Sequence, residues 1–284
     1  MPTTWHPCSL LNGHPTRPYA LIILNQPVNS NALNAVIGSA SLLICADGGA
    51  NRLYRHDRDV AAEITNGTVK PKTRLPDAIV GDLDSLAPDV EGHYRSRGVE
   101  VIKDPDQYST DFTKCLKYVR TWAQSRRNQD DTMDVIILGG LGGRVDQGFS
   151  QIHHLFMAEN ELSLLKGRIY LLSEQSLSFV LSSSPTPSST TSAGHDDINT
   201  NVIHLQSGYF AENVGILPVL GRTLLTTRGL EWDVEKWPSE FGGQVSTSNH
   251  IRADKIEIEF EGPTPLFTLE LDKRLTAAGE GGQR

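Results

Sequence analysis

The first half of the chain alternates short apolar runs with helix-like stretches, and this limits the fold more than any other feature. The runs are YALIILN (19–25), SLLICAD (41–47), PDAIVGD (76–82), VEVIKD (99–104), MDVIILGG (133–140) and RIYLLS (168–173), each closed by polar residues or glycine. Between them, STDFTKCLKYVRTWA repeats Phe112, Cys115, Leu116 and Val119 at i, i+3, i+4 and i+7, with Ser109 or Thr110 placed to cap its start. RVDQGFSQIHHLFMA follows a glycine run and sets Val145, Phe149, Ile152 and Phe156 along one expected apolar face. A strand–helix rhythm of this kind predicts a mainly parallel sheet covered on both faces, with ligands taken beyond the carboxyl ends of the strands.

The second half changes character. SLSFVL, NVIHLQ, RTLLTT, GQVSTSN, KIEIEFE and LFTLELD are short strand-like runs parted by Gly, Pro and Asn, with no helical period among them. They predict a β-sandwich. The expected division is therefore an α/β domain over 1–165 and an all-β sandwich domain over 166–284. The stretch 182–201, SSSPTPSSTTSAGHDDINTN, is nearly devoid of apolar residues and reads as a flexible insertion. The stretch 55–74 reads as a weaker case of the same kind.

Charge and cysteine usage exclude several classes of function. A formal net charge of -8 argues against a broad electrostatic grip on nucleic acid or an acidic membrane surface. No apolar run is long enough to span a bilayer, and the N-terminus lacks the apolar core of a signal peptide. Cys8, Cys45 and Cys115 are few and far apart, without a C-x-x-C pair, so neither a disulfide framework nor a zinc site is expected. Cys45 and Cys115 read as small core residues, and the whole as a reducing, cytoplasmic protein.

Acidic residues gather where the strands of the first half end: Asp47 in ADGGAN, Asp82 and Asp84 in GDLDS, Asp104, Asp106 and Asp111 in DPDQYSTDFTK, and Asp146 in LGGLGGRVDQ. Strand ends of one parallel sheet lie along one edge, so these loops converge. If the extended backbone persists through Asp82 and Asp84, both carboxylates point the same way. At about 6–7 Å they would then repel by roughly 2–3 kcal/mol. A cation between carboxylates answers that cost, and Mg²⁺ is suited to a few carboxylates plus substrate phosphates. GGLGG before a helix lets backbone N–H groups approach phosphate, and Arg144 offers a planar fork for it. Neither a P-loop nor G-x-G-x-x-G in the glycine loop is present.

ADGGAN, PDAIVGDLDS, DQYSTDFTKCL, LGGLGGRVDQ, TTRGLEW and VSTSN, in that order, resemble the signature set of thiamin pyrophosphokinase (thiamin diphosphokinase) in its eukaryotic, fungal-like form. The resemblance runs from about Leu42 to Asn249. It implies an α/β catalytic domain followed by a β-sandwich thiamin-binding domain, and a homodimer with active sites at the subunit interface. The implied reaction turns ATP and thiamin into AMP and thiamin diphosphate. On this resemblance Asp47, Asp82, Asp84 and Asp111 are catalytic, and Asp82, Asp84 and Asp111 hold Mg²⁺. Asp106, Gln107, Thr113, Lys114, Gly140, Gly142, Arg144 and Asp146 fall to the nucleotide, and Gln147, Trp232, Ser246, Ser248 and Asn249 to thiamin. The general base stays open between Asp111 and Asp47. A D-x-D pair also serves glycosyltransferases, but that reading leaves STDFTKCL, LGGLGGRVDQ and the second domain without a purpose. A non-catalytic sensor would be marked by loss of an acidic position, and none of the four is lost.

Overall fold

The computed structural model describes residues 2–65, 74–126, 132–161, 167–183 and 198–276. The chain opens with β1 (Thr3–Trp5), the single turn α1 (Cys8–Leu11), β2 (Tyr19–Ile23), α2 (Ser30–Val36), β3 (Leu42–Ala46) and α3 (Gly49–Thr65). β4 (Ala78–Gly81), α4 (Pro88–Arg95), β5 (Glu100–Lys103), α5 (Asp111–Ser125), β6 (Asp134–Leu138), α6 (Val145–Glu161) and β7 (Ile169–Leu172) follow. Among the described residues only strands come after these: β8 (Ser176–Val180), β9 (Asn199–His204), β10 (Phe210–Leu217), β11 (Thr223–Arg228), β12 (Trp237–Ser239), β13 (Ser246–His250), β14 (Lys255–Glu261) and β15 (Leu266–Leu271). Two compact units result, Leu11–Gln175 with Leu275–Arg284, and Met1–Leu10 with Ser176–Arg274.

In the first of these, six strands among the described residues run parallel in the order β7-β6-β2-β3-β4-β5. Every residue of β2, β3, β4 and β6 is buried. A parallel strand covered on both faces has no polar side to show, which is why these runs read as continuous apolar segments rather than alternating ones. The edge strand β5 instead carries Glu100 and Lys103 outward, as an edge that must not pair further should. The chain steps from β2 through β3 and β4 to β5, then returns to lay β6 on the other side of β2. That reversal is a topological switch point, and the loops leaving β2 and β6 part there.

α5 forms as its period predicts. Thr110 accepts the Thr113 N–H at 3.2 Å as N-cap, and Phe112, Cys115, Leu116 and Val119 are buried against the sheet. α6 keeps its predicted apolar face at Phe156 and departs from it over its first turns. Val145 and Phe149 are 74% and 59% exposed, while His154, Leu155 and Phe156 are buried. The first turns of α6 run beside a cavity and turn Gln147, Ser150 and Gln151 toward it, so the helix is polar-side-in there. The stretch 55–74 is also corrected in part. Residues 55–65 belong to α3, anchored by buried Ala50, Leu53 and His56 on one face. Residues 66–73, and 184–197 of the Ser/Thr/Pro-rich stretch, lie outside the described residues.

α3 also carries a misfit with a measurable consequence. Burial lifts the Asp57 carboxyl to about pH 6, and its Oδ1 has no hydrogen-bond partner among the described residues. The folded protein thus holds a proton that the unfolded chain releases near pH 4. Stability from this group is intact below about pH 4, falls as pH rises toward 6, and stays lowered above it. Asp57→Asn is expected to stabilise the protein at pH 7.5 by about 1–3 kcal/mol and to lose that advantage by pH 4. Thermal melts of both proteins at the two pH values check this.

The second unit is strand-rich. Its two sheets run β1-β9-β14-β11-β12 and β13-β10-β15-β8. They face each other as a sandwich: Trp5 of β1 stacks on Phe179 of β8 at 4.4 Å between centroids, and Phe179 meets Phe267 of β15 edge-on. Ile256, Ile258 and Phe260 alternate inward along β14. β1 pairs in parallel with β9, Thr3 opposite Asn201, and the Trp5 indole N–H donates to the Asn201 side chain at 2.8 Å. The three cysteines are buried and free. Among the described residues no helix is long and apolar enough to cross a membrane.

Candidate active site

A cavity of about 270 Å³ opens at the switch point of the parallel sheet. Its walls come from the loops after β2 (Asn25, Gln26), β3 (Asp47, Gly48), β4 (Asp82, Ser85) and β6 (Gly139, Gly140), from the start of α5 (Ser109, Thr110, Asp111), and from α6. The N-terminal turn of a 15-residue helix therefore opens into it, bringing the partial positive charge of the helix dipole.

Three carboxylates meet in this cavity. Asp47, Asp82 and Asp111 each offer an oxygen, and these oxygens lie within 4.8 Å of one another. Asp47 is buried on a backbone turned to φ 44, a region that L-residues occupy at a cost. Its Oδ2 accepts the Ser85 N–H at 3.1 Å, whereas its Oδ1 is buried without a partner among the described residues. Burial first, then the charges of Asp111 and Asp84, push its carboxyl up to about 6. Asp82 moves the other way: the Asp84 N–H, then the Lys114 ammonium, hold it below the usual carboxylate range. A buried, unpartnered oxygen beside two further carboxylates is what a hard cation would satisfy.

Lys114 is the counter-charge already present. It sits one turn after Asp111 on α5 with its side chain buried, and its Nζ lies 3.3 Å from Asp111 Oδ1 and 3.8 Å from Asp82 Oδ2. The i, i+3 spacing of Asp111 and Lys114 is the sequence signal for this pairing.

The condition that the strand continue through Asp82 and Asp84 is not met. β4 ends at Gly81, Leu83 adopts φ 66, and the Asp84 N–H donates to Asp82 Oδ1 at 3.2 Å. Asp84 thus stands outside the three mutually close carboxylates and accepts from Ser85 Oγ at 2.9 Å. Gln107 Nε2 comes within 3.5 Å of Asp82 Oδ2. Asp106 shapes its own loop, accepting from the Tyr108 N–H and from Ser109 Oγ at 2.9 and 2.6 Å. Thr113 is part of the α5 cap, its Oγ1 3.0 Å from Thr110 Oγ1. Gly140 and Gln147 line the cavity; Gly142, Arg144 and Asp146 do not. The last two are exposed and pair with each other. The glycine run is demanded by its backbone, since Gly139, Gly142 and Gly143 take φ 82, 132 and 68.

Trp232, Ser246, Ser248 and Asn249 lie in the strand-rich unit. Trp232 is 55% exposed, and Asn249 spends its carboxamide on the Trp232 backbone, accepting the N–H at 3.2 Å and donating to the carbonyl oxygen at 3.0 Å. On β13, Asn249 opposes Val214 and Ser246 opposes Ile216, so one extra residue bulges out, and Ser248 adopts φ 56. Bulges of this kind re-aim side chains beside binding sites. Asn25, Gln26, Ser85, Ser150 and Gln151 also line the cavity, beyond the site residues that the sequence points to. Only the polar close of β2, LNQ, hinted at any of them.

Two family models match the chain: the catalytic domain of thiamin pyrophosphokinase over residues 33–165 and its vitamin B1 binding domain over 200–264. Thiamine pyrophosphokinase 1 of Arabidopsis thaliana is 32% identical over 263 residues, covering 90% of this chain and 87% of its own. The thiamine pyrophosphokinase of Saccharomyces cerevisiae is 31% identical over 274 residues, covering 82% and 79%. The crystal structure of yeast thiamin pyrophosphokinase superposes with a TM-score of 0.76 at 26% identity, covering 95% of this chain and 91% of that one. The enzyme from Candida albicans, at 24% identity and a TM-score of 0.75, has the same fold.

Proposed function

Because the chain belongs to the thiamin pyrophosphokinase family, we infer that it transfers a diphosphate group from ATP to the hydroxyl of thiamin, giving thiamin diphosphate and AMP. The observation that carries this reading to the site is the meeting of Asp47, Asp82 and Asp111 at the switch point, with a buried Asp47 oxygen left without a partner among the described residues.

The donor set fits Mg²⁺. Asp47, Asp82 and Asp111 would hold it, with Asp84 on the rim joined to Asp82 by a backbone hydrogen bond. When bound, such a cation neutralises phosphate charge and polarises the β-phosphorus. The remaining work falls to the chain. Lys114 keeps Asp82 and Asp111 together from beneath. The α5 N-terminus and the loop at Gly139 and Gly140 would cradle ATP, with Gln107 at the side, while Gln147 on the cavity wall would face thiamin. Arg144 and Asp146, exposed and paired, would reach the nucleotide from the α6 start. The thiamin hydroxyl oxygen attacks the β-phosphorus in line, the bond from that phosphorus to the α–β bridging oxygen breaks, and AMP departs with the electron pair. The hydroxyl proton passes to a carboxylate of the cluster, Asp47 or Asp111. Positioning and charge account for most of the rate.

In the strand-rich unit, the exposed face of Trp232 suits a thiazolium cation, with Ser246 and Ser248 on the bulged strand and Asn249 fixing the loop. The chain would act as a homodimer. Three free cysteines suit a reducing compartment such as the cytoplasm.

Incubation of the purified protein with ATP, thiamin and Mg²⁺ is expected to yield AMP and thiamin diphosphate in equal amounts, with no AMP when thiamin is omitted. ADP with thiamin monophosphate as the main products would overturn the single-transfer reading, which chromatography of the reaction decides directly.

A further inference from the structure

The Trp232 loop is held by groups that the transfer itself does not use. Its backbone is clamped by Asn249 and by the Glu231 N–H, which donates to the His250 carbonyl oxygen at 2.8 Å. Clamping the backbone does not orient the indole, which stands out from the surface. His250 supplies that contact: its ring leans on Trp232 with centroids 4.9 Å apart and planes at 45°. His250 is itself held. Its Nδ1 lies 2.7 Å from Glu231 Oε2 and 3.1 Å from Arg252 Nη2; the shorter contact is a hydrogen bond when Nδ1 carries the hydrogen, since a carboxylate only accepts. Arg252 joins the pair, donating to the same Glu231 Oε2 and, at 2.8 Å, to Glu212 of β10. The arrangement also leaves a carboxylate close behind the aromatic pair, held below its usual range first by the His250 hydrogen bond. The bulge on β13 lies immediately before His250 in the chain.

We propose that His250 is a positioning residue for the Trp232 indole, held in place by Glu231, Arg252 and Glu212, and that it sets the affinity for the cationic ring of thiamin. The proposal rests on the reading of Trp232 as a thiamin contact. An aromatic face attracts a cation only when the cation lies over the ring. An indole free to turn about its χ angles presents that face for a fraction of the time. His250 restricts those rotamers, and Glu231 adds negative potential of the right sign.

The test uses the full-length protein and separates KM from kcat. His250→Ala is expected to raise the KM for thiamin about five-fold, the equivalent of one exposed cation–π contact. The KM for ATP and kcat should stay within about two-fold. Trp232 emission, taken as the difference from a Trp232→Phe protein, should shift with the loss of the imidazole. His250→Phe, which restores a ring against the indole, should recover at least half of the lost affinity; His250→Gln, which keeps a donor for Glu231 without a ring, should not. Glu231→Gln, at an exposed position, should give a smaller rise of the same kind and covers the case in which His250→Ala fails to fold. An unchanged KM for thiamin in both His250→Ala and Glu231→Gln overturns the proposal, as does an equal rise in the KM for ATP. Trp232→Ala is the control beneath it. If Trp232→Ala leaves the KM for thiamin unchanged, the reading of Trp232 falls and the proposal with it; if it raises that KM while the His250 variants do not, only the positioning role is lost.

Discussion

Asp82→Asn and Asp111→Asn are each expected to lower kcat by about 10²–10³-fold, the usual cost of removing one preorganised group aimed at developing charge. The fold should survive both changes. Each carboxylate now sits among two others whose nearest oxygens are within 4.8 Å, partly offset by the Lys114 ammonium 3.8 Å from Asp82 and 3.3 Å from Asp111. Neutralising one carboxylate relieves repulsion and weakens one contact to Lys114, and these effects oppose each other. The metal-free melting temperature should therefore move by no more than a few degrees in either direction. The Mg²⁺ concentration for half-maximal rate should rise alongside the fall in kcat. Near wild-type turnover at saturating Mg²⁺ in either variant would remove the cluster from the mechanism. Steady-state kinetics across a Mg²⁺ series, paired with melts in chelator, gives both readouts.

Gly81→Ala is expected to be nearly as damaging, although it changes no functional group. Gly81 ends β4 under the cluster, and a Cβ placed on it would sit 2.7 Å from Asp47 Cβ and 3.1 Å from Asp111 Oδ1. The first contact is closer than carbon atoms tolerate, and the Asp47 Cα at 3.2 Å leaves the turn little room to retreat. One methyl group would act as a wedge between two of the three carboxylates. Overpacking of this kind costs about 1–3 kcal/mol. A shift of about 1 Å in a reacting constellation costs on the order of 10²-fold in rate. A drop in melting temperature of several degrees together with a fall in kcat well beyond ten-fold is the expected pair of results. A protein that melts lower but keeps its kcat would show that the cluster tolerates the wedge.

What the sequence makes legible follows the strength of its patterns. The strands β2, β3, β4 and β6 are plain because strands buried on both faces admit almost no polar residues, as ALII and LLICA show. β10 is not, because FAENVGIL carries Glu212 and Asn213 mid-strand and its pairing with β15 slips between Phe210 and Val214. β1 and β12 span three residues each, too few for any period. α6 misleads for a different reason. Its apolar positions are real, but Val145 and Phe149 fall where the helix borders a cavity rather than the sheet, and the inward face there is polar. The acidic positions are legible as a set, since strand ends of one sheet share an edge. Their exact grouping is not. Leu83 leaves the extended region, and with it goes the alternation that would have aligned Asp82 with Asp84.

The parallel pairing of β1 with β9 bears on the order in which a ribosome can finish this molecule. Trp5 and the Asn201 side chain that receives its N–H lie 196 positions apart. The β1 segment must therefore wait, without this partner for its tryptophan, until 196 further residues have been made. The parallel-sheet unit lies wholly between those two points apart from its terminal segment, so its strands are available to pair while that early segment is still without its neighbour. Closing so long an intervening loop costs little more than closing one half its length, because the entropy grows only as the logarithm of the number of residues. The delay is thus one of time rather than of equilibrium. The sandwich unit acquires one of its edge strands from a segment made well before its other strands, and a fragment beginning at Ser176 would have to form that edge without it.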